Sequence, residues 1–196
     1  MIKNFNDLTR YIKSDISSMG HHYEAKAWLK DPVVRFIAIL RIYEFLINTN
    51  KPRMVQLLTA FFFKRTSIKL GFSVGPNVFG PGVAIVHYGL LIIDPTTRIG
   101  KNCRIHMGVH IGGAAQFVEA GTEADFSPRI GDNVYIGPGA KIYGPVTIGN
   151  NCTIGANAVV TKSFDGEGLT LAGVPAKIIN QSPLGSINSR ILRGAK

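Results

Sequence analysis

A branched aliphatic residue recurs at every sixth position over much of this chain. This spacing matches neither the period of a helix, about 3.6 residues, nor the alternation of an ordinary sheet. It is typical of a solenoid in which each six-residue unit forms one short, flat face and then turns a corner. The positions are Ile99, Ile105 and Ile111, and then Ile130, Ile136, Ile142, Ile148, Ile154 and Val160.

Glycine and small residues follow these aliphatic anchors at constant offsets. Glycine comes directly after most anchors, as at Gly100 and Gly131, where we expect a tight corner to need a positive φ. Four residues after each anchor stands a small residue, such as Cys103 or Ala140, which predicts a second inward position. Three faces of six residues make about eighteen residues per coil, so we expect about five coils.

The repeat predicts the fold class and divides the chain into parts. Parallel crossovers are normally right-handed, but repeats of six residues are known mainly from left-handed parallel β-helices. We therefore expect a mainly β protein, a left-handed parallel β-helix (a hexapeptide-repeat solenoid) preceded by a short α-helical N-terminal region. The expected parts are that helical region at 1–70, the β-helix at 71–178 with a loop insertion at 112–129, and a basic tail at 179–196.

Two proline pairs predict where the helices of the N-terminal region begin and end. Aspartate is a good helix cap and proline suits the first helical position, so Asp31-Pro32 predicts a helix start. Lys51-Pro52 ends this helix or begins the next one, which we expect to continue to about Phe63.

The six-residue register is broken at two places. Ile85 and Ile93 are eight residues apart instead of six, and His87 lies inside this irregularity. The second break is the stretch 112–129. Repeat proteins often carry insertions on their binding face, so we expect a flap over a site near these breaks. The acidic residues of the second break are Glu119, Glu123 and Asp125.

Three histidines near these breaks have more than one interpretation. His87 suits a general base, because an imidazole titrates near neutral pH, or it is a structural imidazole that caps a turn. His106 and His110 are expected on strands, and with His87 they would form a three-imidazole zinc site if neighbouring coils brought them together. The pair His21-His22 belongs to the helical region and is expected at the surface.

The net charge of +10 is concentrated in the N-terminal region. Residues 1–70 hold 12 basic and 5 acidic residues, which accounts for +7 of it. Nucleic-acid binding is not expected, because no recognition element accompanies the charge. A helical bundle with a basic exterior is the simplest explanation, and peripheral contact with an anionic membrane is the alternative. That alternative depends on the apolar run 54–63 and its flanking cations, Lys51, Arg53, Lys64 and Arg65.

Cysteine usage and hydropathy bear on the compartment. Cys103 and Cys152 both occupy the small inward position, and two cysteines make no disulfide framework, so we expect two reduced structural thiols. Charged residues run through the N-terminal segment without an apolar stretch, so no signal peptide is expected. The apolar runs elsewhere are too short to span a membrane. Together these features predict a soluble, cytoplasmic protein.

Six short motifs in the solenoid are shared with a known family. They are Gly80-Pro81-Gly82, Val86-His87-Tyr88-Gly89, Val109-His110-Ile111-Gly112-Gly113, Pro128-Arg129-Ile130-Gly131, Gly137-Pro138-Gly139-Ala140-Lys141-Ile142 and Ala172-Gly173-Val174-Pro175-Ala176-Lys177. Through them the chain resembles the serine acetyltransferases and their relatives among the hexapeptide-repeat acyltransferases. A short helical region also precedes the solenoid in that family.

The resemblance implies transfer of an acetyl group from acetyl-CoA to a hydroxyl, with no metal. His87 would be the general base, and a backbone N–H near Gly112 and Gly113 would stabilise the tetrahedral intermediate. The pantetheine of acetyl-CoA would run past Gly112, Gly113 and Ala140, and Lys177 would approach a phosphate. The site would need two solenoids, so the resemblance implies a homotrimer, and the N-terminal helices could join two trimers into a hexamer.

The chain departs from the serine acetyltransferase pattern at positions that would hold the amino acid. Val86 stands where that family has Asp, Phe126 where it has Arg, and Ser127-Pro128 where it has His-Pro. An α-ammonium needs a carboxylate and an α-carboxylate needs a cation, and losing such partners lowers selectivity by several orders of magnitude. The family's Gly-Gly-Thr-Gly-Lys run reads Gly112-Gly113-Ala114-Ala115-Gln116 here.

These departures favour a sugar hydroxyl as the acceptor, in the biosynthesis of a polysaccharide. Asp94, Ser127 and the loop acids would then bind the acceptor or orient His87. The alternative is a serine O-acetyltransferase of cysteine biosynthesis. A zinc hydratase and a non-catalytic scaffold on the same fold are the remaining alternatives.

Overall fold

The computed structural model of the chain describes residues 1–20, 30–113 and 126–182. Within these ranges three helices come first: α1 at Phe5–Ser18, α2 at Pro32–Asn48 and α3 at Arg53–Leu70. None of these three helices is long and apolar enough to cross a membrane. Outside the described residues lie Glu119, Glu123 and Asp125 of the predicted flap, the pair His21-His22, and positions 183–196 of the predicted tail.

Short strands occupy the rest of the described chain. They are β1 Phe72–Ser73, β2 Ala84–Ile85, β3 Leu91–Ile93, β4 Arg98–Ile99, β5 Arg104–Ile105, β6 His110–Gly112, β7 Arg129–Ile130, β8 Tyr135–Ile136, β9 Lys141–Tyr143, β10 Thr147–Ile148, β11 Thr153–Ile154, β12 Val159–Val160, β13 Leu169–Ala172 and β14 Lys177–Gln181.

The strands pair into three sheets that form the three faces of a solenoid. Sheet A has the order β1-β3-β6-β9-β12, sheet B the order β4-β7-β10, and sheet C the order β2-β5-β8-β11-β13-β14. The pairs are parallel except for β13 and β14, which are antiparallel. The chain passes from sheet C to sheet A to sheet B in turn, so each circuit is one triangular coil. The predicted fold class, a left-handed β-helix with helices at its N-terminus, is confirmed.

The strand register confirms the predicted coil length. Lys141 pairs with Val159, eighteen residues further on. Ile85 pairs with Ile105, which is twenty residues away, so the two extra residues near His87 are accommodated in a turn outside the ladder. The anchors and the small residues that follow them are buried in one continuous core.

Asparagine, and not the glycine that follows each anchor, turns the corners. Gly100 and Gly131 do not have a positive φ, so that expectation is wrong; a Cβ on Gly100 would lie 2.6 Å from the Gly131 carbonyl oxygen of the next coil. The left-handed residues stand two positions later, at Asn102, Asn133 and Asn151. The Asn102 amide donates to the side chain of Asn133 (3.2 Å), which donates to that of Asn151 (3.1 Å). At the corners from sheet B to sheet C, glycine allows close approach of the coils and asparagine forms the turn. At the corners from sheet C to sheet A, Gly108 and Gly139 themselves have a positive φ (77° and 74°).

The helical region agrees with the proline signals except at one end. Asp31 caps α2 as predicted, because its carboxylate accepts hydrogen bonds from two backbone N–H groups of the first turn (2.8 and 3.4 Å). Helix α3 begins at Arg53 but continues past Phe63 to Leu70. Gly71, with φ 75°, ends the helix in the left-handed conformation.

One buried arginine joins the helices to the first coil. The Arg41 guanidinium is fully buried and donates to the carboxylates of Asp15 (2.8 Å) and Glu44 (2.9 Å). It also donates to the carbonyl oxygens of Phe79 (2.9 Å) and Gly80 (2.7 Å) in the solenoid. Burial by itself lowers the pKa of Arg41, but the carboxylates of Asp15 and Glu44 raise it above its usual value. The arginine therefore stays charged, and its position sets that of the helices on the solenoid.

We expect Arg41→Met to lower the free energy of unfolding by about 3–5 kcal/mol, because it leaves the carboxylates of Asp15 and Glu44 buried without a cation. Chemical denaturation at one protein concentration measures this change. Arg10→Met is the matched control, because the Arg10 side chain is 66% exposed where it pairs with Asp7, and its effect should stay below about 1 kcal/mol. Equal effects of the two substitutions would contradict the structural role of Arg41.

Candidate functional site

The residues predicted to form the site lie along two edges of the triangular solenoid. We call the turns that lead from sheet C to sheet A the C–A edge, and those from sheet A to sheet B the A–B edge. Sheet A lies between the two edges. His87, Ala140 and Lys177 belong to the C–A edge, and Asp94, Gly112, Gly113 and Ser127 belong to the A–B edge.

His87 is exposed in the turn that follows β2. Its ring contacts that of His106 in the next coil, with centroids 6.2 Å apart, and His106 in turn lies 5.0 Å from the Tyr135 ring. The turn is held by the Gly89 N–H, which donates to the Leu70 carbonyl at the end of α3 (2.9 Å). The insertion that lengthens this coil thus projects an imidazole from the ladder and supports it with two rings and a helix end.

His106 provides an uncharged surface beneath His87. Burial lowers the pKa of His106, and the positive charge of Arg104 and the neighbouring His87 lower it further. Its Nε2 atom is buried and has no hydrogen-bond partner among the described residues. Sequence reasoning named His106 as a metal ligand in one alternative, whereas its contacts here are those of a neutral packing partner.

His110 lies in the middle of sheet A, away from this column of rings. It pairs with Ile92 and Lys141 on the neighbouring coils. Burial lowers the pKa of His110, and the ammonium of Lys141 lowers it further. In the described part of the chain, no group of three or more His, Cys, Asp or Glu side chains is arranged to hold a metal ion.

The two cysteines are free and buried. Burial raises the pKa of the Cys103 thiol to about 12. Burial raises the pKa of Cys152 as well. Both thiols are therefore protonated near neutral pH and fill the small inward position of their coils, in keeping with the structural role expected for them.

Asp94 and Ser127 are connected through a residue that sequence reasoning missed. Thr96 donates its hydroxyl proton to the Asp94 carboxylate, and its oxygen is within hydrogen-bond reach of the Ser127 hydroxyl. The Thr96 N–H also donates to Asp94 (2.8 Å). Ser127 is buried and Thr96 is exposed, so the surface of this chain of hydroxyls consists of Asp94 and Thr96. The only sign of the Asp94–Thr96 contact in the sequence is the turn-forming run Asp94-Pro95-Thr96, which follows an anchor.

Gly112 and Gly113 have close neighbours on the A–B edge. A Cβ on Gly112 would lie 3.1 Å from the Tyr143 ring. One on Gly113 would lie 3.1 Å from the Phe126 carbonyl and 3.4 Å from the Ser127 hydroxyl. The structure therefore brings Gly113 and Ser127 together on this edge.

Ala140 and Lys177 occupy very different environments on the C–A edge. Ala140 is fully buried, its N–H donates to Gly137, and its carbonyl accepts from the His110 N–H (3.0 Å). Its methyl group therefore packs in the core. Lys177 is exposed at the start of β14, directly after the turn that contains the cis Val174–Pro175 bond.

Comparison with known proteins identifies relatives of both the repeats and the whole fold. The family described as "Bacterial transferase hexapeptide (six repeats)" matches residues 127–162. The serine acetyltransferase of Mycobacterium tuberculosis is 36% identical over 131 residues, which is 66% of this chain and 55% of that protein. The chain therefore spans about half the length of the curated relatives it matches.

Two solved structures of serine acetyltransferases superpose well on this chain. The Brucella abortus enzyme in complex with coenzyme A has a TM-score of 0.71 at 27% identity, and the match covers 91% of this chain and 70% of that one. A serine acetyltransferase in complex with cysteine has a TM-score of 0.75 at 26% identity, with 95% and 71% covered.

The stacked six-residue units and these matches define the class of protein. The chain is a hexapeptide-repeat protein of the left-handed β-helix class. Within that class it is serine acetyltransferase-like, which confirms the resemblance carried by its motifs.

We expect Arg104→Gln to raise the pKa of His106 towards its usual value, because it removes a positive charge that opposes protonation. The pKa should stay below the usual value, because burial is the larger cause. Titration of the imidazole signals by NMR measures the shift. Lys141→Gln is the matched control, since it should raise the pKa of His110 and leave that of His106 unchanged. If either substitution raised the pKa of both His106 and His110, the assignment of Arg104 to His106 and of Lys141 to His110 would be contradicted.

Proposed function

We propose that this protein is an acetyl-CoA-dependent O-acetyltransferase that moves an acetyl group to the hydroxyl of a small acceptor. The observation that carries the proposal is the exposed imidazole of His87, projected from the ladder by a two-residue insertion in a chain similar to serine acetyltransferases. Acetyl-CoA as the donor is supported by the relative solved with coenzyme A.

In the proposed reaction His87 takes the proton of the acceptor hydroxyl as its oxygen attacks the thioester carbonyl. The tetrahedral intermediate then collapses, the carbon–sulfur bond breaks, and the imidazolium returns the proton to the leaving thiolate. The lowered pKa of His106 supports this role, because an uncharged neighbour does not repel the imidazolium. A backbone N–H near Gly113 is the proposed donor to the oxyanion.

L-Serine is the acceptor that the comparisons support, because the relatives are named serine acetyltransferases and one was solved with cysteine, an amino acid of the same shape. The comparisons do not support the sugar acceptor that the sequence departures predict. A sugar remains the second candidate on one observation. Asp94 and Thr96 present a carboxylate and a hydroxyl, groups that suit the hydroxyls of a sugar, and Val86 replaces the acid expected beside His87.

The position of the two edges supports a site shared between subunits. His87 and Lys177 lie on one edge, and Asp94, Thr96 and Gly113 lie on the other, with sheet A between them. A single groove can contain both sets only where the C–A edge of one subunit packs against the A–B edge of the next. We therefore propose a homotrimer with acetyl-CoA in the grooves between subunits and Lys177 near a phosphate. Further assembly into a hexamer through the N-terminal helices is part of the same proposal.

The experiment that tests the activity is release of the CoA thiol from acetyl-CoA with L-serine and, separately, with a panel of sugars and sugar nucleotides. We expect release with L-serine, and we expect His87→Ala to lower kcat/KM by about a hundredfold to ten-thousandfold. The thermal midpoint should hardly change, because His87 is exposed.

His87→Gln is the matched control, because it keeps a polar side chain of similar size but provides no base, and it should lose as much activity. Release with sugars alone would establish the second candidate. The proposal would be contradicted if none of the acceptors gave release of the CoA thiol, or if the His87→Ala protein kept the full rate.

The shared site predicts that two inactive variants complement each other. His87→Ala lacks the base, and an Asp94→Asn, Thr96→Val double variant lacks the acceptor groups of the other edge. The two variants are mixed in equal amounts, unfolded together and refolded as mixed trimers. The mixture should regain about a quarter of the wild-type activity, because about a quarter of the interfaces combine two intact edges. If the mixture recovered no activity, the site would lie within one subunit. If the double variant kept the wild-type KM for the acceptor, Asp94 and Thr96 would not bind the acceptor.

A further inference from the structure

The first half of α3 exposes a set of large apolar side chains on one face of the helix. The residues are spaced by three and four positions, so they lie side by side along about two and a half turns. We call this set the α3 patch. It consists of Met54, Leu57, Leu58, Phe61 and Phe62, with relative exposures of 80, 60, 59, 60 and 48%.

The second half of α3 holds the helix on the protein. The buried residues of α3 are Phe63, Ser67 and Leu70. The Phe63 ring stacks on those of Phe36 and Tyr43, each with centroids 5.6 Å apart. The α3 patch therefore projects from a firmly anchored helix and does not depend on the core for its own position.

Positive charge surrounds the α3 patch. Five exposed cations precede it or follow it along the helix, and the sequence contains no acidic residue between Glu44 and Asp94. The fields of these cations therefore add without a compensating carboxylate in this segment. The cations are Lys51, Arg53, Lys64, Arg65 and Lys69.

We propose that the α3 patch docks on the surface of an anionic lipid membrane. A helix that combines an apolar face of Phe, Leu and Met with bordering Lys and Arg is suited to lie in the headgroup region, with its apolar face buried and its cations on the lipid phosphates. The proposal rests on exposure and charge and is independent of the proposed acetyl transfer.

Charge also decides against a second copy of the chain as the occupant of the α3 patch, so the proposed hexamer would use other surfaces of the N-terminal helices. A two-fold contact brings the same patch of both partners together. With the helices parallel or antiparallel, it would place cations at an end of the patch in one copy close to cations of the other, with no carboxylate from this segment to pair with them. An anionic membrane suits both groups, because its apolar region can bury the apolar side chains and its phosphates can pair with the cations.

Docking in this way would bring the C–A edge close to the membrane. The helix rises about 1.5 Å per residue, so Leu70 lies about 12 Å along the axis from Phe62. Leu70 accepts the hydrogen bond from Gly89 in the turn of His87 (2.9 Å). The turn that carries His87 would therefore lie near the helix that docks on the membrane.

Sedimentation of the full chain with lipid vesicles tests the proposal. We expect binding to vesicles of phosphatidylcholine mixed with phosphatidylglycerol and little binding to phosphatidylcholine alone. The double substitution Leu58→Ser, Phe61→Ser should weaken binding at least about tenfold, because it removes two side chains from the buried face. The control is Ile178→Ser, Ile179→Ser, which alters apolar side chains of similar exposure on β14 (53 and 64%) and should bind as the wild type does.

The charge contribution is tested separately. Lys64→Gln, Arg65→Gln should also weaken binding to the anionic vesicles, whereas Lys101→Gln, Lys162→Gln, on the solenoid, should not. Raising the ionic strength from about 0.1 M to about 1 M shortens the Debye length from about 10 Å to about 3 Å, so it should release much of the bound protein.

Two results would overturn the proposal. One is a wild-type chain that stays in the supernatant with both kinds of vesicle. The other is a Leu58→Ser, Phe61→Ser protein with a smaller assembly mass than the wild type by light scattering, which would show that the patch covers another copy. Circular dichroism confirms in each case that the variant is folded.

Discussion

Close stacking of the coils is the constraint on which the rest of the structure depends. Neighbouring strands of a sheet lie about 4.8 Å apart, so each coil must repeat the path of the one beneath it. Large aliphatic and small side chains alternate inside the solenoid. Cys103 and Ala140 are fully buried at the small positions, where close packing favours small side chains. Gly100 is needed because the next coil's backbone lies where a Cβ would be, and Asn102 because the corner needs a positive φ.

The candidate site residues lie close to the places where the chain departs from this repeat. Ile85 and Ile105 remain paired across the longer coil, and the extra residues emerge as the turn that exposes His87. The other break in the register, at 112–129, includes Gly112, Gly113 and Ser127, which lie at the opposite edge of sheet A. A solenoid places its insertions on edges and not inside a cavity, so each edge carries only part of a site. This geometry is the physical reason for proposing that two subunits complete it.

The helices are attached by polar as well as apolar contacts. Arg41 connects two carboxylates to the first coil and is fully buried, so the orientation of α2 depends on a network that must remain complete. The buried residues of α3 all lie in its second half, whose end also holds the turn of His87. The helical region therefore supports the candidate site from one end of the solenoid and leaves the α3 patch exposed at the other end of the same helix.

By itself, the sequence determined the solenoid, its coil length, the two breaks in its register and the cap at Asp31, because each depends on residues close together in the chain. It also singled out His87, since an insertion in a strict repeat is visible as a change of spacing. Only the tertiary structure decided that Thr96 joins Asp94 to Ser127 and that Arg41 lies between helix and coil. These contacts join positions that the period of six does not relate, so their partners emerge only when coils and helices are stacked.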